Sequence, residues 1–165
     1  MLHLIPRPLH RVLLRRAHAV RIRWWRWRGR PVCGVRVLAR NAKGQVLLLR
    51  HSYGSGKWML PSGGVTGGET PLAAAVRELR EETGCTLHDA VIAAIHDEPL
   101  HGTVNRVHLI AGTASGTPRA DGREIIEARF FAMNALPQPL AYDHEVQLGR
   151  WIAAAEAAVR PSDPA

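Results

Sequence analysis

Residues 77–84 read RELREETG, and they carry three carboxylates, Glu78, Glu81 and Glu82, within five positions. On a helix turning about 100° per residue, all three fall within one arc. Like charges at this spacing repel and destabilise an isolated helix. A hard divalent cation takes oxygen ligands and keeps several waters, so it would turn that repulsion into attraction. For RELREE alone, a solvated charged helix face is the competing explanation, because short spacing patterns recur by chance. The preceding stretch, PSGGVTGGE, weighs against it. Gly63, Gly64, Gly67 and Gly68 let the backbone approach a ligand closely. A flexible loop running into a multi-carboxylate helix is what a metal-bound polyphosphate site requires.

The elements that must position these groups are legible in outline. Thr70 can cap a helix that begins with Pro71, and Gly84 can end it. Leu72, Val76, Leu79 and Thr83 lie on the arc beside the carboxylates and are expected to pack on a sheet. Upstream, VCGVRVLAR and QVLLLRH read as two strands joined by a turn at NAKG. SYGSGKW reads as a loop and WML as a short strand. Downstream, CTLHDAVIAAIHDE and GTVNRVHLIAGTA read as strands, antiparallel across PLHG, and EARFFAM as a further strand. Asp143 would cap a last helix with Leu148, Ile152, Ala155 and Val159 on one stripe. Groups of strands alternating with helices, without β-α-β repetition, predict an α/β architecture: a mixed sheet between helices.

The 165 residues suit one domain with an appendage. The net charge of +8 is local. Residues 1–31 hold nine arginines and no acid, while the remainder holds thirteen Lys+Arg against fourteen Asp+Glu. Within the arm, Leu9, Leu13, Ala17, Val20, Trp24 and Trp27 recur at steps of three and four, predicting a basic amphipathic helix. Such an arm can bind nucleic acid, lie on an anionic membrane surface, or form an oligomer or intramolecular contact. Arginines interrupt any secretory core, and two cysteines make no disulfide framework, which predicts a cytoplasmic protein, peripheral at a membrane if the arm acts there. The predicted division is an arm at 1–31, a folded domain at 32–160 and a frayed tail at 161–165.

Gly63 to Cys85, GGVTGGETPLAAAVRELREETGC, resembles the Nudix box: G, five residues, E, seven residues, then R-E-U-x-E-E-x-G-U, with U apolar. Gly63, Glu69, Arg77, Glu78, Glu81, Glu82 and Gly84 fall on the fixed positions, and Leu79 and Cys85 on the apolar ones. With its flanks the resemblance covers about residues 32–158. Ser62 stands where many members have a glycine, and Thr66 where an acidic residue is common; neither is a box position.

The resemblance implies a Nudix-type α/β/α sandwich that hydrolyses the pyrophosphate bond of a nucleoside diphosphate linked to another group, using Mg²⁺ or Mn²⁺. It implies Glu78, Glu81 and Glu82 as metal ligands with the Gly63 carbonyl, and Glu78 or Glu81 as in-box candidates for the base. Glu98, Glu124, Glu127 and Glu145 are candidates from later segments. Glu69 and Arg77 would pair and hold the loop on the helix. Arg50, Lys57 and Arg106 are candidate phosphate contacts, and His51 and Tyr53 candidate stacking partners for a base; Trp58 is expected in the core. The rival function is a nucleotide-sensing module without turnover, against which the intact glutamates speak. The sequence leaves substrate identity and metal number open.

Overall fold

The computed structural model describes residues 32–100, 103–122, 124–141 and 144–159. The arm at 1–31, the tail, Asp143 and the side chain of Glu145 lie outside the described residues. Six strands form one sheet: β1 (Val32–Arg40), β2 (Val46–His51), β3 (Ser62–Gly64), β4 (Thr86–Leu100), β5 (Thr103–Ser115) and β6 (Ile125–Phe131). Among the described residues two helices, α1 (Pro71–Thr83) and α2 (His144–Val159), accompany the sheet.

The strand order is β4-β5-β1-β2-β6, with β3 added beside β1. The sheet is mixed: β1 and β5 run parallel from Val32↔Asn105 to Arg40↔Thr113, and the other named pairs are antiparallel. β1 is buried on both faces, as expected of a central strand covered on both sides. Val35, Val37, Leu47 and Ile110 pack with Ala74, Ala75 and Leu79 of α1. Leu38, Leu48, Trp58 and Leu109 pack on the other face with Leu148 and Trp151 of α2. The result is the expected α/β/α sandwich. Among the described residues no helix is long and apolar enough to cross a membrane.

Two local expectations are corrected. WML is not a regular strand: Met59 bridges Leu49, and Trp58 bridges Leu140. The strand in this stretch is Ser62–Gly64, inside the segment read as loop, where Gly63 pairs with Val35. Pairing with an exposed edge of β1, not local composition, makes that strand. Val76 does not pack on the sheet but is 39% exposed, and Ala74 and Ala75 are buried in its place. The buried face of α1 is centred on the two alanines, Leu79 and Thr83 instead.

The helix ends are set as expected. The Thr70 hydroxyl accepts from the Ala73 N–H at 3.2 Å, and Gly84 takes the left-handed conformation (φ 72°) while its N–H bonds the Arg80 carbonyl. A Cβ at Gly84 would meet nothing within 4 Å, so a substitution there reports backbone conformation alone. Gly84→Ala is expected to cost about 1 kcal/mol, the scale of forcing an alanine left-handed, and Gly84→Asn less than that. Urea unfolding of both variants checks this; equal losses would show that the cap conformation is not what the glycine supplies.

Candidate active site

Two of the three α1 carboxylates, Glu78 and Glu81, are organised around one guanidinium together with Glu69. Arg77 donates through Nε and Nη2 to the two oxygens of Glu69 at 3.2 and 2.6 Å. Its Nη1 reaches Glu78 at 2.7 Å and Glu81 at 3.4 Å, and Nη2 also donates to the Gly64 carbonyl at 3.0 Å. A planar group with five donors can serve several acceptors at once, which an ammonium cannot do in fixed geometry. Glu69 also accepts the Thr66 N–H and hydroxyl, each at 2.7 Å. These bonds, those from Arg77 foremost, bring the Glu69 carboxyl down to about 2. The loop from β3 is thereby tied to the helix it precedes.

Glu78 lies against Gly63. A Cβ built on Gly63 would fall on the Glu78 carboxylate, so only glycine leaves room for that carboxylate at the strand. Burial raises the Glu78 pKa, with Arg77 opposing and Glu81 and Glu124 adding to the rise. Glu82 is deeper, with its side chain 9% exposed. One of its oxygens accepts the Ser62 N–H at 3.0 Å, and the other stands 3.6 Å from His51 Nε2. Burial pushes its pKa well above the ordinary value; the Ser62 N–H works against this, and repulsion from Glu78, Glu124 and Glu81 works with it. The side-chain departure at Ser62 leaves this bond intact, because the backbone makes it. Glu81 is 61% exposed and least encumbered.

These groups form one wall of a cleft of about 660 Å³. The cleft is also lined by the loop after β2, including Tyr53 and Lys57, and by Asp121 and Glu124 before β6. The Tyr53 hydroxyl donates to Glu124 at 2.7 Å. Buried His51 and Tyr53 stand with ring centroids 4.9 Å apart. Gly34, Arg36, Asn105 and Val107 of β1 and β5 form the floor.

Of the expected phosphate contacts, Lys57 lines the cleft. Arg50 instead donates to the Gly56 carbonyl at 3.0 Å, pairs with Glu127 at 3.3 Å and lies over the Trp58 ring. Arg106 is committed to Asp97 on the surface at 3.0 and 3.2 Å. Glu98 is held by Arg36 at 2.8 and 3.1 Å and by His96 at 2.9 Å. Trp58 is buried, in T-shaped contact with Phe131. Asn105, Gly34 and Asp121 went unread in the sequence. β5's alternation says which residues share a face but not which of them meets the cleft.

Among the described residues no three His, Cys, Asp or Glu side chains converge as a metal cluster by themselves. The donor set nevertheless suits a hard divalent cation: carboxylate oxygens, two of them on acids whose charged form burial disfavours, beside a glycine backbone that admits no side chain.

Residues 30–155 match the profile of the NUDIX domain. An RNA pyrophosphohydrolase of Tolumonas auensis is 48% identical over 65 residues, which cover 39% of this chain and 36% of that protein. An ADP-ribose pyrophosphatase of Methanocaldococcus jannaschii is 35% identical over 106 residues, covering 61% of this chain and 62% of its own. Matches to such curated relatives span between 30% and 62% of the relative's length. The crystal structure of a MutT NUDIX hydrolase from Burkholderia pseudomallei superposes with a TM-score of 0.64 at 27% identity, covering 73% of this chain and 97% of that one. With more than half its length matched by the domain profile and its sandwich shared with these structures, the chain belongs to the Nudix family.

Proposed function

We propose that the protein hydrolyses the pyrophosphate bond of a nucleoside diphosphate linked to another group, with Mg²⁺ or Mn²⁺ held by Glu78, Glu81, Glu82 and the Gly63 carbonyl. What supports this reading is the Arg77-centred carboxylate cluster on a cleft wall, with Glu78 seated against Gly63. The bound metal would neutralise phosphate oxygens and lower the pKa of a water. Arg77 positions the carboxylates and fixes the loop. Lys57, on the loop after β2, is a cation lining the cleft among the described residues and is available to phosphate, and the Tyr53 ring offers a stacking face.

Among the later carboxylates, Glu98 and Glu127 are spent on Arg36 and Arg50. Glu124 lines the cleft, is oriented by Tyr53 and is not among the proposed ligands. We assign it the proton of the attacking water, with Glu81 as the in-box alternative. The curated relatives carry two names, so capped or triphosphorylated RNA ends and ADP-ribose both belong on a substrate panel.

On that panel, with Mg²⁺ or Mn²⁺, the wild type is expected to cleave at least one pyrophosphate, and Glu81→Gln and Glu82→Gln to lose roughly 10²-fold or more, at or beyond the upper end for groups that only support ligands. Glu124→Gln should lower kcat while leaving Mn²⁺ affinity unchanged. A folded wild type that binds nucleotide and metal but turns over nothing would defeat the hydrolase reading. Arg77→Lys keeps the charge but loses the fork, and is expected to weaken Mn²⁺ binding about 10- to 100-fold by electron paramagnetic resonance.

The raised Glu82 pKa has a consequence for stability. A folded acid with a raised pKa holds its proton longer than the unfolded chain does. Metal-free stability therefore falls as pH rises from about 4.5 through the folded value. Glu82→Gln keeps the acceptor for the Ser62 N–H and removes the charge. Its metal-free Tm at pH 7 should exceed that of the wild type by about 2–4 °C, equivalent to about 1 kcal/mol for a chain of this size. The gap should close below about pH 4.5. Scanning calorimetry at both pH values decides it; a lower Tm at pH 7 would mean that Glu82 is held by attraction the charge itself supplies.

A further inference from the structure

On the floor of the cleft, β1 and β5 run parallel with Val32 beside Asn105 and Gly34 beside Val107. Gly34 is buried. A Cβ there would lie 3.1 Å from Asn105 Oδ1, 3.4 Å from its Nδ2 and 3.4 Å from the Gly63 carbonyl oxygen. The Asn105 amide and the Gly63 carbonyl therefore border the same space, kept open because residue 34 has no side chain. Among the described residues the Asn105 amide has no hydrogen-bond partner, and the residue lines the cleft.

The surrounding charge decides what this amide can recognise. Arg36, its cationic neighbour on the floor, is held by Glu98 in two bonds and lies over the Trp151 ring. Arg77 serves Glu69, Glu78 and Gly64. Lys57 stands on the loop after β2. On the β1/β5 side, beside the carbonyl assigned to metal, the open donor is a neutral N–H₂. A phosphoryl oxygen brought to that metal must come close to Gly63, and hence to this amide. A base edge lies a ribose away from the phosphates, farther from the carbonyl.

We propose that Asn105 donates its side-chain N–H to the diphosphate of the substrate and positions it irrespective of the base, with Gly34 holding the space open. The proposal rests on the functional reading above. It adds a substrate-binding residue outside the glycine-glutamate motif, supplied by a strand parallel to β1.

The test is binding, not turnover. Full-length wild type, Asn105→Ala and Gly34→Ala are titrated with Mn²⁺ alone by electron paramagnetic resonance. In saturating Mn²⁺ they are then titrated with α,β-methylene ADP and α,β-methylene UDP by calorimetry. Asn105→Ala should bind both analogues about tenfold more weakly, the scale of one hydrogen bond to a charged group, with Mn²⁺ affinity unchanged. Gly34→Ala, which pushes the amide aside by a few tenths of an ångström, should weaken both analogues by a smaller factor. In the double variant the Gly34→Ala loss should disappear, because both act through one group. Unchanged analogue binding in Asn105→Ala overturns the proposal. So does a loss confined to one base, which would make Asn105 a base reader, or a loss of Mn²⁺ affinity, which would make it part of the metal site. A wild type that binds Mn²⁺ but neither analogue sinks the functional reading itself, a result separable from the others because no variant enters it.

Discussion

The site depends on one guanidinium holding together charges that would otherwise separate. Glu78 and Glu81 sit on one arc of α1, and Glu69 is brought back to them by the loop. Without Arg77 the loop would lose its bonds to Glu69 and Gly64, and the carboxylates their common partner. The arrangement works because the loop between Gly63 and Thr70 is short enough to fold back on the first turns of the helix. The close seating of Glu78 at Gly63 follows from it, since Arg77 fixes Glu78 from one side and the strand backbone meets it from the other.

The sheet supplies the other half of the constraint. β1 and β2 meet in register at Arg40 and Val46, then part, and the chain from Trp58 to Gly64 fills the space between them. The Val37 N–H bonds the Pro61 carbonyl, and Met59 and Leu49 exchange both bonds. This inserted segment carries the Ser62 N–H to Glu82 and Gly63 to the cleft. Across the gap, β6 pairs with β2, and the Ser52 N–H bonds the Glu124 carbonyl, so the turn before β6 is anchored beside Tyr53. Segments distant in sequence therefore meet where the central strands part.

What was legible in the sequence divides along the same line. The helix from Pro71 to Thr83, its caps and the long strands were visible because they obey local rules of periodicity and capping. The three-residue strand at Ser62 was not, because its partner lies nearly thirty residues away in β1. Val76 was misassigned because the helical period fixes the spacing of a buried stripe but not that the small side chains of Ala74 and Ala75 take it in place of valine. Arg50 and Arg106 looked equivalent to Lys57 as cations, yet cross-strand neighbours, Glu127 opposite Arg50 and Asp97 opposite Arg106, claim the two arginines. Asn105 carried no signal at all, since its place depends on a parallel register and on the missing side chain of Gly34.

The acids of the cluster are displaced in opposite directions, and burial divides them: even Glu78, bonded to Arg77, is raised by desolvation, whereas Glu69, whose hydrogen bonds outweigh desolvation, is lowered. Glu69, within reach of Arg77 and fed by Thr66, is held ionised down to about 2, so its contribution to stability is present above about pH 4.5 and lost as pH falls toward 2. Glu82 lies beyond the guanidinium, buried, with one backbone N–H to set against desolvation and its neighbours' repulsion. The fold thus balances charge at the rim of the cleft and leaves negative charge uncompensated at its base. A chain selected for stability alone would place an amide or an apolar group there. Under the proposed function, that deficit becomes binding free energy for a divalent cation, and the rim pairs keep the remaining ligands in place while it is met.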